Sequence, residues 1–234
     1  MLAGILATHG DPPLWRRATG FQTLVHIILE QQVSLKSAKS MLVRLEGAIQ
    51  PFTPVRFIEL GDGYLRGLGV TRQKSAYLLH LSDSIVNGDL SFTRLARMSD
   101  DEARLALTQI KGIGLWSADV YLLMAMRRAD IWPAGDLALA VAMQDLKGLT
   151  HRPGPDELER LAEQWRPHRA VAARMLWQYY LGEKFSRLCA RNYLEIVDAV
   201  VVGRSVLISV VSGTFSIVSS IKSSTTALRS FVSR

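Results

Sequence analysis

Two stretches of helical apolar pattern meet at Lys111-Gly112-Ile113-Gly114, and this junction constrains the chain more than any other four residues. Residues 105–140 read LALTQIKGIGLWSADVYLLMAMRRADIWPAGDLALA. A helical stretch enters the Gly-Ile-Gly turn, a second follows at once, and Asp136 stands at the start of a third. Glycine allows a tight turn with φ > 0, and it lacks the Cβ that would hold a phosphate away from the backbone. A helix beginning near Leu115 aims its first free N–H groups at the same spot. The junction therefore predicts an anion site suited to a nucleic-acid phosphate.

Charge agrees with such a partner without proving it. Lys and Arg number 28 against 21 Asp and Glu, a net charge of +7, and the pI is near 9.8. A basic balance steers polyanions but says nothing about fold. The single cysteine, Cys189, excludes an intrachain disulfide and a four-cysteine zinc or iron–sulfur site within one chain. Met1 to Ala7 is apolar but short and has no basic leader, so a cytoplasmic protein is the expectation.

Most of residues 20–182 reads as helix. Phe21, Leu24, Val25, Ile28 and Leu29 recur at helical spacing, and so do Ala38, Met41, Leu42 and Leu45 within a stretch from Leu35 to Ile49. A short helix is expected over Val55 to Leu60, a loop at Gly61, Gly63, Gly67 and Gly69, and a helix from Arg72 to about Val86. Ser99-Asp100-Asp101-Glu102 is a capping box that starts the first helix of the hairpin. Two more helices are expected, Asp156 to Trp165 and His168 to Leu181. Residues 195–234 differ in kind, with ten serines and many valines. Ala199 to Ile221 is apolar, but its serines and Arg204 argue against a membrane span and for a strand-prone or poorly ordered appendage.

Four segments in order carry a family resemblance. The hairpin Ile110-Lys111-Gly112-Ile113-Gly114 with the later Asp136 resembles the helix-hairpin-helix DNA glycosylases, within them the 3-methyladenine DNA glycosylase II branch. Ile28-Leu29-Glu30-Gln31-Gln32-Val33-Ser34 resembles that branch's Gln-Gln-Val-Ser helix. Gly114-Leu115-Trp116-Ser117-Ala118 resembles its Gly-x-Trp-Thr-Ala pattern, and Trp165-Arg166-Pro167-His168-Arg169 with Leu176-Trp177 its closing helices. The resemblance implies an all-α, two-lobed helical fold over residues 1–194. The hairpin lobe would span about 38–135, the hairpin itself 105–127, and 195–234 would be a tail of unassigned role. It further implies monofunctional hydrolysis of the N-glycosidic bond of alkylated purines in duplex DNA, leaving an abasic site. The chain would act as a monomer, with no membrane partner and no required cofactor. Three departures stand out: Lys111 replaces the usual proline, Glu30 replaces a small residue, and the N-terminal β-domain of longer enzymes in the branch has no counterpart here.

The same resemblance distributes roles. Asp136 would be catalytic, although by its own sequence context it is first a helix N-cap before Leu137-Ala138-Leu139. Trp116 and Trp177, and Tyr121 one turn on, would line the base pocket, the alternative for each being the core. Gln31, Gln32, Ser34, Lys111, Gly112, Ile113 and Gly114 would meet DNA, the glutamines and Ser34 otherwise being a solvated helix end. Thr108, Ile110 and Ile113 would offer carbonyls to a monovalent Na or K ion, and His168 and Arg169 are weaker candidates. Trp116 stands where bifunctional members carry a lysine nucleophile, which argues against Schiff-base chemistry. The rival readings are a non-catalytic DNA-binding module and a bifunctional glycosylase/lyase.

Overall fold

The structure, a computed structural model, describes residues 1–183 and the backbone of residues 206–211 and 214–219. Met1–Tyr179 form one compact unit and Tyr180–Arg234 a second. The first unit is helical: α1 (Leu2–His9), α2 (Phe21–Glu30), α3 (Leu35–Ala48), α4 (Pro54–Gly67), α5 (Arg72–Val86), α6 (Phe92–Leu95), α7 (Asp100–Thr108), α8 (Leu115–Met124), α9 (Leu137–Lys147) and α10 (Pro155–Ala162). A 3-10 turn at Glu163–Trp165 follows, and a last helix, α11, starts at residue 169 and is described to residue 183. In the second unit β1 (Val206–Val211) pairs antiparallel with β2 (Thr214–Ser219), Val206 opposite Ser219 and Val211 opposite Thr214. That hairpin falls where the tail was expected to be strand-prone. The remainder of the tail and Cys189 lie outside the described residues. No helix among the described residues is long and apolar enough to cross a membrane.

The helix α2 is the centre of the core. Phe21, Leu24, Val25, Ile27, Ile28 and Leu29 are all buried, which leaves almost no solvated face, as expected of a helix covered on every side. It packs against α3, α5 and α8. Each such aliphatic side chain, fully buried, contributes about 1.5–3 kcal/mol. Side-chain caps set where the flanking helices begin. Ser34, Thr53, Thr71, Ser91, Ser99 and Asp136 each accept the N–H three residues on. At Ser99 the capping box is complete, with Glu102 returning to the Ser99 N–H at 2.8 Å.

Two local expectations are corrected, and two helices are added. The glycine-rich segment after Leu60 is helical rather than a loop. Gly61, at φ 71 and ψ 179, breaks the path once, and the chain then resumes as helix to Gly67. Fully buried Leu65 explains the resumption, since apolar anchoring outweighs the weak helix propensity of glycine. The helices α1 and α6 had no strong periodic signal. The stretch from Asp156 to Trp165 divides into α10, opened by Pro155, and the 3-10 turn.

Candidate active site

The carboxylate of Asp136 is held from three directions. As N-cap of α9 its Oδ1 accepts the Leu139 N–H at 3.0 Å. The Trp177 indole Nε1 donates to the same oxygen at 3.1 Å, and the Trp116 Nε1 donates to Oδ2 at 2.8 Å. The residues come from the starts of α8 and α9 and from α11, so three helices converge on one side chain. All three partners are donors, which matches the acceptor-only character of a carboxylate. A carboxylate offers about four lone-pair positions, so about one remains for a water or a ligand. Asp136 and Trp177 are buried, while Trp116 is half-buried. An indole donates in its own plane, so the bond to Asp136 does not use the faces of the Trp116 ring. Trp15 backs Trp177 edge-on, with centroids 6.2 Å apart.

The hairpin lies directly before this cluster on α8. Gly112 has φ 93, as the turn requires. A Cβ there would also sit 2.2 Å from Tyr77 Cγ, so glycine is needed for packing as well as for conformation. Gly114 corrects the expectation of two left-handed glycines. Its φ is −87, it caps α8 with its backbone, and a Cβ would meet nothing within 4 Å. Its smallness matters only toward what lies outside the protein. Among the described residues the N–H groups of Leu115, Trp116 and Ser117 have no protein acceptor; the first α8 amide to find one is Ala118, bonded to the Gly114 carbonyl. Lys111 is exposed, and its N–H donates to His80 Nδ1 at 3.3 Å. The turn therefore presents free amide donors beside a lysine with no acidic partner among the described residues, at the positive end of a helix.

Other expected site residues are distributed unevenly. Gln31 faces inward. Its amide donates to the Gly112 carbonyl at 2.7 Å and to Ser117 Oγ at 2.9 Å, so it braces the hairpin from the end of α2. Gln32 is exposed with φ 57, a left-handed conformation unusual for a non-glycine residue. Ser34 is exposed and caps α3. Ile110 and Ile113 are buried beneath the turn, so their side chains are not available to a ligand. Tyr121 is corrected from pocket to core. It is fully buried, packs on Phe92, and its hydroxyl accepts the Gly20 N–H at 3.0 Å. Burial pushes its phenol up to about 12. Arg169 is buried in a clamp, donating to Asp130 Oδ1 at 2.9 Å and to Glu159 at 2.6 Å. It fixes the loop before Asp136 to the start of α11 and does not face a ligand.

Sequence reasoning missed the support beneath the hairpin. On α5, Tyr77 packs under Gly112, His80 receives the Lys111 N–H, and Lys74 Nζ donates to the Leu29 and Gln31 carbonyls at 2.7 and 2.8 Å. A cation on the last carbonyls of a helix is a favourable C-terminal arrangement. Residues so far away in sequence carry no local sign of these contacts.

Residues 25–168 match the HhH-GPD superfamily of base excision DNA repair proteins. The chain is 30% identical over 127 residues to the alkylbase DNA glycosidase-like protein mag2 of Schizosaccharomyces pombe, covering 54% of this chain and 60% of that protein. A solved DNA-3-methyladenine glycosidase from Bacillus halodurans superposes with a TM-score of 0.66 at 29% identity, over 76% of this chain and 83% of the other. A Schizosaccharomyces pombe 3-methyladenine DNA glycosylase in complex with abasic DNA shares the fold, with a TM-score of 0.68 at 24% identity over 76% and 88% of the two chains. Against two curated relatives the chain spans 64% and 60% of their length.

Proposed function

The chain belongs to the HhH-GPD superfamily of base excision DNA repair proteins, and on that basis we propose that it is a monofunctional DNA glycosylase removing alkylated purines such as 3-methyladenine from duplex DNA. The observation that carries the proposal is the Asp136 carboxylate held by two indole N–H groups and a helix N-terminus. A DNA-binding module that only grips phosphate needs no such arrangement.

The reaction follows from the charges. The glycosidic bond of a stacked nucleotide is out of reach, so the damaged base is extruded from the duplex. As the base leaves, positive charge develops on the sugar, and a fixed carboxylate stabilises it. The remaining acceptor position on Asp136 orients the water that adds to C1′, giving an abasic site. The electron-rich face of Trp116 favours a cationic alkylpurine, which is already a good leaving group and needs little acid assistance. Trp116 in place of a lysine leaves no amine at that position to form a Schiff base, so the strand stays intact.

Binding rests on the hairpin. The free amides at the start of α8 and Lys111 take a phosphate, and exposed Gln32 and Ser34 meet the duplex beside it. A monovalent cation on the carbonyls of Thr108, Ile110 and Ile113 would add positive charge there. Among the described residues no protein donor reaches the Thr108 or Ile113 carbonyl, and Ile110 accepts one N–H, from Ile113 at 2.9 Å, with a second lone pair left. The chain acts as a monomer in the cytoplasm under this reading.

The test is a panel of duplexes carrying 3-methyladenine, 7-methylguanine, hypoxanthine and 8-oxoguanine. Free methylated base should be released, and the strand should break only after alkali. A borohydride-trapped protein–DNA adduct, or no base release from any substrate, would overturn the proposal.

A further inference from the structure

At the far end of α8 from the hairpin, a cavity of about 220 Å3 is lined by Leu14, Arg16, Arg127, Arg128, Ala129, Ala170, Val171 and Arg174. Ten residues of helix separate its rim from the turn, about 15 Å. A phosphate in this cavity is therefore not the one gripped at Gly114. Four arginines line this one small concavity, and no carboxylate lines it.

Only one of the four is neutralised by a carboxylate among the described residues. Arg128 pairs with Asp100 at 3.2 Å and donates to the Leu95, Ala96 and Met98 carbonyls. Arg174 is 7% exposed, yet its bonds go to main-chain carbonyls alone, Leu14 and Leu123, both at 2.8 Å. Arg16 and Arg127 are exposed, and their side chains make no hydrogen bond or ion pair among the described residues. The nearby Asp130, which would otherwise compete for them, is occupied by Arg166 and Arg169. Arg127 also holds φ 57. A β-carbon-bearing residue in that region costs conformational energy, and such outliers gather where a ligand is held.

We propose that this cavity is a second anion site, which takes one phosphate group between the Arg16, Arg127 and Arg174 guanidiniums. Like charges brought together without a counterion repel one another, and a bound oxyanion removes that repulsion. Phosphate suits the site better than a carboxylate. Its tetrahedron offers several oxygen edges to several planar forks at once, whereas a carboxylate offers one principal edge. The volume lies below the roughly 300–1,000 Å3 of drug-sized pockets, which fits a phosphate with little attached rather than a whole nucleoside inside. The phosphate comes either from a DNA backbone outside the hairpin contact or from a free phosphate ion. The site does not depend on the glycosylase reading.

Calorimetric titration of the full chain with inorganic phosphate at low salt tests it, alongside R16A/R127G. Both side chains are exposed and unbonded, and glycine relieves the left-handed strain, so the variant should keep the wild-type melting midpoint. Saturable binding that falls at least tenfold in the double variant is the expected result. If the variant also binds undamaged duplex more weakly, with a shallower salt dependence, the ligand is a DNA phosphate. Unchanged duplex binding assigns the site to a free phosphate. Wild-type protein that shows no saturable phosphate binding, or a double variant that binds as tightly as wild type, overturns the proposal.

Discussion

The substitution Asp136→Asn separates the structural and chemical duties of the carboxylate. With its oxygen at the Oδ1 position, the introduced amide keeps the Leu139 N–H and the Trp177 indole as donors. The amide nitrogen then replaces Oδ2, where the Trp116 N–H donates at 2.8 Å, and two donors face each other. Losing that bond and leaving a donor unsatisfied costs about 1–3 kcal/mol. For a chain of this size that lowers Tm by about 2–4 °C per kcal/mol. The chemical loss is larger. Removing a fixed group that stabilises transition-state charge typically costs about 10²–10³ in rate. Single-turnover release of 7-methylguanine from a duplex should therefore fall by that factor or more, with duplex affinity nearly unchanged. Trp116→Phe removes the offending N–H, so D136N/W116F should regain Tm relative to D136N without regaining activity. Excision by D136N within threefold of wild type would refute the catalytic role. A double variant no more stable than D136N would refute the donor–donor clash.

Four further outcomes follow from the same geometry. Gly112→Ala should unfold at markedly lower temperature than wild type, because its Cβ meets Tyr77 at 2.2 Å in a backbone at φ 93. Gly114→Ala should melt like wild type yet bind damaged and undamaged duplexes more weakly alike, as filter binding would show. Gln31→Leu leaves the Gly112 carbonyl and Ser117 without their donor and should weaken binding to every duplex, with hydrogen exchange at the turn accelerated. Burial pushes Asp119 from 3.8 up to about 6, the Arg104 pair offsetting only part of the effect. Between about pH 4 and 6 the folded chain then holds a proton that the unfolded chain has released, so this group's contribution to stability falls as pH rises. Asp119→Asn should gain on wild type across that window in urea midpoints; a constant difference from pH 4 to 7 would contradict the shift.

Legibility in the sequence tracked how local each interaction is. The capping box at Ser99 and the N-cap at Asp136 depend on residues three apart, and both stand as read. The turn at Gly112 was equally plain, because few residues adopt its φ. The protein partners of Tyr121 and Gln31 were hidden for a common reason. Each partner lies far along the chain: Gly20 for the tyrosine, Gly112 and Ser117 for the glutamine. A polar tip satisfied from such a distance along the chain leaves no trace in a local window. The same holds for the arginine cavity, which assembles from the N-terminal segment, the loop after α8, and α11. Gly114 differs again: its φ of −87 is open to any residue, and a local window does not separate such a glycine from one held at positive φ.

In the proposed function, phosphate grip and base removal would be joined through very few residues. Gly114 caps α8, and Trp116 follows two positions later with its N–H on Asp136. Gln31 ties the Gly112 carbonyl and Ser117 to the end of α2, so one side chain links the turn to the first turn of α8. Lys74 in turn holds the Leu29 and Gln31 carbonyls from α5. A displacement of the hairpin along the α8 axis therefore changes the Trp116–Asp136 distance directly, while the Trp177 and Leu139 donors stay with α11 and α9. Two donors fixed in the body of the protein and one carried by the hairpin make the carboxylate sensitive to how the phosphate is held. Under the proposed function, a duplex seated correctly at Gly114 keeps all three donors in place; a misplaced one loosens the Trp116 bond and leaves Oδ2 without its donor, while Leu139 and Trp177 still hold Oδ1. Under that reading, binding geometry at the hairpin reaches the carboxylate through one indole.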